Sequence, residues 1–208
     1  MPELKRVWEA AWHQIGATQH EASDSVYDSL IEAYNQPHRK YHTVQHITEC
    51  LDLLVKVAHL AEHPDEIAVA LWFHDIAYDP KSRKNEEKSA KLAATAMNRA
   101  KIPVNSRTRI AGLIMVTKHD REPMTSDEKL ILDIDLAILG AAKRRYNQYE
   151  RQIAAEYSHV PAEVFKEKRK EFMLAFVSRP HIYHTPYFHK KYERRARANV
   201  LRTWVDVK

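Results

Sequence analysis

Apolar residues recur at helical spacing along most of the chain. Leu4, Val7, Trp8, Ala11, Trp12 and Ile15 stand at i, i+3, i+4 intervals, and Val26, Tyr27, Leu30, Ile31 and Tyr34 repeat the pattern until Pro37 halts it. A long helix is predicted from Thr43 to about His63, with Pro64 after it. Residues 66–78 are apolar on nearly every side (IAVALWF), which marks a central helix buried all round, and Asp79-Pro80 ends it. A polar KSRKN loop leads into a helix over roughly 86–100 that closes before Pro103. Asn105 is placed to cap the next helix, which runs through His119. Thr125 and Glu128 form a capping-box pattern ahead of LILDIDLAIL, and Gly140 sits where a C-terminal glycine belongs. Tyr146, Tyr149, Ile153 and Tyr157 predict another helix, Phe165, Phe172 and Phe176 one more, and a basic helix covers about 189–203.

Composition agrees with this reading. The 208 residues include only three glycines, Gly16, Gly112 and Gly140, too few for a turn-rich β architecture. No internal repeat, low-complexity tract or linker interrupts the chain, so the expectation is a single all-α domain over residues 1–208. No apolar run approaches the roughly 18–20 residues that cross a bilayer. The N-terminal MPELKRVWEAAWHQI has charges throughout and no small-residue cleavage site, unlike a secretory signal. The one cysteine, Cys50, forms no internal disulfide, and a reducing cytoplasm is the natural setting. Charge is uneven: residues 143–208 carry 16 Lys+Arg against 7 Asp+Glu, a net +9, which leaves −4 for the remainder. That basic third either attracts phosphate-rich ligands or consists of solvated helix faces.

The informative residues break the burial pattern. Projected at roughly 100° per residue, the helix from Thr43 gathers Ile47, Cys50, Leu51, Leu53, Leu54, Val57, Ala58 and Ala61 into one apolar arc. His46 falls inside that arc, between Leu53 and Val57, and His42 lies at its margin if the helix reaches it. His74 and Asp75 close the most hydrophobic helix, directly after Leu71-Trp72-Phe73, where an unpaired carboxylate is costly. Asp135 is flanked one turn away by Ile131, Leu132, Ile138 and Leu139, so it too is expected to face inward. A lone core histidine is usually just hydrogen-bonded, but two imidazoles and two carboxylates together make a ligand set for a divalent metal.

The order His46, then His74-Asp75, then Asp135 resembles that of the HD-domain metal-dependent phosphohydrolases. YHTVQHITECLDLL is similar to the first motif of that family, ALWFHDIAYDP to its second and ILDIDLAILG to its last, over about residues 39–140. With NEEKSA included, the pattern most resembles a bacterial branch described as predicted metal-dependent HD phosphohydrolases. The resemblance implies a helical bundle of HD type, with residues 141–208 as a basic helical extension. It also implies a divalent ion on His46, His74, Asp75 and Asp135, and hydrolysis of a phosphate ester or anhydride. Asp135 matches the last ligand better than Asp133, which is then a supporting or helix-surface group. Two imidazoles favour Mn, Fe, Co, Ni or Zn over Mg alone.

His42-Thr-Val-Gln-His46 is similar to the arrangement in cyclic-nucleotide phosphodiesterases, where the earlier histidine protonates the leaving group. His42 is therefore either a general acid or a solvated residue at the helix start. Lys118 and His119 are candidates to bind phosphate oxygens or a second metal, and Arg39 to contact phosphate. Asp79 either orients a metal water or caps the helix, and Glu86 either supports the site or complements the helix dipole. The IAYDP after the HD pair departs from the glycine-lysine of the HD-GYP enzymes, so cyclic di-GMP is disfavoured as substrate. The leading function is an enzyme acting on a small phosphorylated compound, with nucleotides among the candidates. The alternative is a metal-stabilised nucleotide-binding or sensor domain without chemistry. Nucleic acid is the weaker partner, because the basic residues of 189–202 interleave with Tyr192, Ala196 and Val200 as in an ordinary packed helix and no DNA-binding motif occurs. An oxygenase on a related helical scaffold needs two metals, for which too few ligands are evident.

Overall fold

A computed structural model describes residues 2–18 and 20–205, with backbone only at residues 2 and 20–22. All regular structure among these residues is helical, in keeping with the all-α class. The α-helices are α1 (Pro2–Gln14), α2 (His20–Tyr34), α3 (Val44–Val57), α4 (Pro64–Phe73), α5 (Asn85–Arg99), α6 (Val104–Val116), α7 (Ser126–Asp135), α8 (Lys143–Glu156), α9 (Ala162–Val177), α10 (Pro186–Phe188) and α11 (Arg194–Trp204). The chain divides into two compact units, Met1–Ile131 and Leu132–Lys208. Among the described residues no helix is long and apolar enough to cross a membrane.

The first unit is built around α4. Glu66 through Phe73 are all buried, and α1, α3, α5 and α6 each pack against this helix. Trp8 and Trp12 of α1 stack at 4.7 Å, and Trp8 meets Trp72 edge-on at 5.9 Å. The Trp8 indole N–H donates to Ser23 and the Tyr34 hydroxyl to the Trp72 carbonyl at 2.9 Å, whereas the buried indole N–H groups of Trp12 and Trp72 have no hydrogen-bond partner among the described residues. Truncating a side chain such as Trp72 to alanine costs about 3–5 kcal/mol in a core of this kind. The buried charge on α4, Glu66, is compensated by a bidentate pair with Arg109 at 2.6 and 2.7 Å.

Several helix ends depart from the sequence expectation, each for a tertiary reason. The helix expected over 43–63 stops at Val57 and gives way to a 3₁₀ turn, Ala58–Leu60. The Asp127 carboxylate takes the Glu62 and His63 amides at 2.7 and 3.0 Å and diverts the chain there. Pro64 then starts α4 at a position where its missing N–H costs nothing. That helix ends at Phe73 rather than near Tyr78, because the Asp75 and Ile76 carbonyls turn to the Arg39 guanidinium at 2.7 and 2.8 Å. Asn105 does not cap α6: Pro103 holds the cap position, and the helix stops at Val116, three residues short of His119. The capping box ahead of α7 forms as expected, with the Glu128 amide on Thr125 Oγ1 at 3.1 Å and Glu128 Oε2 accepting from Thr125 N at 3.4 Å.

In the second unit, a 3₁₀ segment (Leu136–Gly140) precedes α8, and a π-helical turn (His189–Glu193) joins α10 to α11. Tyr146, Ile153, Met173, Phe176, Tyr183, Phe188 and Val200 are among its buried residues. Gly140 does not adopt the left-handed geometry of a C-terminal glycine cap. It is needed for space, because a Cβ there would stand 2.8 Å from Cβ of Tyr192. The left-handed glycine that does close a helix is Gly16 after α1, at φ +102°, with Gly16 N on His13 O and Ala17 N on Trp12 O.

The loop between α9 and α11 is held by side chains rather than by regular structure. Arg197 donates to the Val177, Arg179 and Pro180 carbonyls. Glu193 accepts from the Ile182 and Tyr183 amides, and Asp133 from the His184 and Thr185 amides and the Thr185 hydroxyl. Such contacts answer the backbone's need for partners where no ladder is available. Asp133 is therefore neither on the helix surface nor a spare ligand, but a fully buried clamp.

Candidate metal centre

Three side chains from two elements of the first unit meet at one point. His46 lies on the first turn of α3, facing inward among Ile47, Cys50 and Leu53, and is 1% exposed. His74 occupies the C-cap of α4, and Asp75 follows it into the turn. His46 Nε2 and His74 Nε2 are 3.2 Å apart, His74 Nε2 and Asp75 Oδ2 3.0 Å, and His46 Nε2 and Asp75 Oδ2 3.6 Å. The circle through these atoms has a radius of about 1.9 Å, so an ion at ordinary bond lengths of about 2.1 Å fits just off their plane. The angles at such an ion are roughly 90–120°, as on one face of a tetrahedral or octahedral site.

The protons make the same point. His74 Nδ1 lies 2.8 Å from the Leu71 carbonyl, which can only accept, so Nδ1 carries a hydrogen and Nε2 is the ring nitrogen turned to the cluster. His74 Nε2 and Asp75 Oδ2 thus converge with His46 Nε2 at separations that one shared cation can bridge. Burial pushes the Asp75 carboxyl up, but the imidazoles of His74, His42 and His46 outweigh it and hold the group well below the usual carboxylate range. The set is geometrically able to hold a metal ion.

His42 precedes α3 rather than riding on it, in the turn before the Thr43 cap. Its Nε2 is 4.0 Å from Asp75 Oδ2, its ring is 6.0 Å from that of His46, and it stacks on Tyr78 at 4.2 Å. The histidine is thus neither a helical residue nor a fully solvated one. Tyr78 itself went unnoticed in the sequence; the aromatic three residues after Asp75 is the signal that marks it.

Arg39, expected to contact phosphate, is 3% exposed and its guanidinium is engaged with protein groups. Its guanidinium donates to the His42 carbonyl at 3.2 Å as well as to Asp75 and Ile76, and lies over the Tyr34 and Tyr78 rings. One buried cation therefore ties the His42 turn to the Asp75 turn. Lys118 pairs with Glu87 at 2.6 Å and Asp120 at 3.3 Å, and His119 follows α6 at φ +58°. Glu87 comes from NEEKSA, so that motif meets Lys118 directly. Its neighbour Glu86 is half-buried, and burial first, then the charges of Asp75 and Glu87, push its carboxyl up. Asp79 is exposed and organises its own loop, accepting from Lys81 N at 2.9 Å.

Asp135, expected as the fourth ligand, is the last residue of α7 and belongs to the second unit. The three donors above form a set without it. Compared with family models, curated proteins and solved structures, the chain matches none.

Proposed function

We propose that the protein is a metal-dependent phosphohydrolase acting on a small phosphorylated compound, with nucleotides as the first class to test. The observation that carries this reading is the triangle of His46 Nε2, His74 Nε2 and Asp75 Oδ2, whose edges suit one divalent ion. Asp135 enters as fourth ligand on its sequence pattern alone. An ion held there supplies Lewis acidity, acidifying water and drawing charge from a phosphoryl group.

The remaining work falls to the chain's own side chains. His42 stands at the edge of the triangle, and in this reading its protonated ring gives a proton to the departing oxygen. Tyr78 holds that ring by stacking, and Arg39 fixes the backbone on both sides of it. Lys118, already paired with two carboxylates, and His119 are the candidates to meet phosphate oxygens. Two imidazoles make Mn, Fe, Co, Ni or Zn better guests than Mg alone.

The test is phosphate release from a panel of nucleotides and phosphorylated metabolites, run separately with Mn, Co, Ni, Zn, Fe and Mg, beside elemental analysis of protein purified without added metal. The expected result is stoichiometric transition metal and turnover with at least one ion. A cluster neutralised by protons alone contains no metal and overturns the reading. Metal without phosphate release, but with nucleotide binding, replaces the enzyme by a sensor.

A further inference from the structure

The second unit carries another group of metal-ligating side chains, His181, His189 and Glu193, each offering one ligand atom within 4.8 Å of the others. We propose that these residues form a separate binding site for a borderline transition ion such as Zn(II), with the two imidazoles as the principal donors and Glu193 as the neutralising charge. The site stands on residues of the second unit only and does not depend on the proposed phosphohydrolase centre.

Preorganisation is what raises this cluster above a chance pair of histidines. His181 is exposed, but the backbone on either side of it is clamped: Arg197 holds the Pro180 carbonyl at 2.9 Å, and Glu193 takes the Ile182 amide at 3.1 Å. His189 is oriented through Nε2, which contacts the Tyr183 carbonyl. A carbonyl accepts only, so Nε2 carries the proton and Nδ1 keeps its lone pair, the arrangement that backbone carbonyls impose on metal-binding imidazoles. The two rings stack at 4.1 Å with planes 22° apart. Binding turns the exposed His181 ring so that its lone pair meets that of His189. Neighbouring chain geometry is also unusual, since His189–Glu193 is a π turn, a feature that recurs at functional sites.

Glu193 limits the affinity. Both its oxygens accept backbone amides, and Oε1 also takes the Arg197 Nε at 2.7 Å. It therefore offers charge more than a free ligand atom, and Lys190 and Lys191 alongside oppose a cation. The site is accordingly the weaker of the two in the molecule. Its consequence is local: an ion joining His181 to His189 pins the α9–α11 loop to the start of the last helix.

Zn(II) titration of the metal-free full chain, competed against a chromophoric chelator, tests this. The wild type should show a tight and a weak step. His181→Ala and His189→Ala should each raise the Kd of the weak step by roughly 10–100-fold, the scale seen when groups that support a metal are removed, and leave the tight step alone. His46→Ala should do the reverse, so failure of the first centre and failure of this one read out separately. In His46→Ala, Cu(II) electron paramagnetic resonance should report two imidazole nitrogens, and one after His181→Ala is added. An unchanged weak step in both His181→Ala and His189→Ala overturns the proposal. Equal weakening by His159→Ala, an exposed histidine elsewhere in the unit, overturns it too, because the uptake is then nonspecific.

Discussion

Asp75 and Asp133 are carboxylates of one kind set in opposite surroundings. Asp133 receives two backbone amides and the Thr185 hydroxyl between 2.7 and 2.8 Å, and its oxygens are used up in holding a loop. Asp75 faces imidazole nitrogens, the nearest of them His74 Nε2 at 3.0 Å. Burial pushes Asp133 up to about 6 against the pull of its donors, whereas the imidazoles take Asp75 down. Burial alone therefore does not separate a structural carboxylate from a candidate ligand. What separates them is the kind of neighbour, backbone amides and a hydroxyl around Asp133 and imidazole rings around Asp75.

The largest expected effect comes from exchanging the two. Asp75→Asn should abolish stoichiometric metal uptake by elemental analysis and remove the drop in Tm that a chelator causes in the wild type. Asp133→Asn should retain the ion and lower Tm equally with and without chelator, because an amide presents N–H where the loop presents N–H. If Asp133→Asn loses the ion while Asp75→Asn keeps it, the contrast collapses.

Next in size is His42, the proposed acid, 4.0 Å from Asp75. His42→Ala should keep its metal and lose roughly 10²–10⁴-fold in turnover, the usual worth of a placed acid. The deficit should shrink on a nitrophenyl phosphate, whose leaving group departs without a proton. Equal deficits on good and poor leaving groups remove His42 from that role.

Much of this was legible in the sequence, and the rest was hidden for a definite reason. The helical stripes of α1 and α2, the Thr125–Glu128 box and the inward histidine of α3 follow from spacing over a few residues. The ends of α3 and α4 do not, because Asp127 and Arg39 set them from 65 and 36 positions away in the chain. Asp133 and Asp135 are two residues apart with similar neighbours, so no local pattern tells a clamp from a candidate ligand. The basic excess of the last third also looks different once placed. Arg169 is buried against Glu150, Arg195 donates to the Gly140 carbonyl, and Arg197 to three loop carbonyls, so three of those sixteen cations serve the unit's own packing.

Two smaller tests extend the contrast to other carboxylates of the saturated type. Asp127→Ala leaves the Glu62 and His63 amides without their acceptor and should cost about 1–3 kcal/mol in urea unfolding, with metal uptake unchanged. Glu128→Gln should cost about 1 kcal/mol at pH 7. Arg121, together with the Met124 and Thr125 amides, lowers the Glu128 carboxyl below its ordinary 4.5 despite burial. Its contribution is present above that value and lost as pH falls through the lowered one, so the gap between Glu128→Gln and wild type should close in acid. A gap that persists at pH 3 means that packing, not charge, is what the substitution removes.

Arg39 bears on how such a centre could be re-engineered or could drift. Because one guanidinium grips the carbonyls of His42, Asp75 and Ile76, the two turns are welded at one point, and the distance from histidine to aspartate is set within the scaffold. Lysine cannot reproduce a planar three-way grip. Variation at this position is thus gated: an exchange that loosens the weld changes the reach of His42 and the footing of Asp75 in one step. New reactivity is more accessible by altering what approaches the weld than by altering the weld itself.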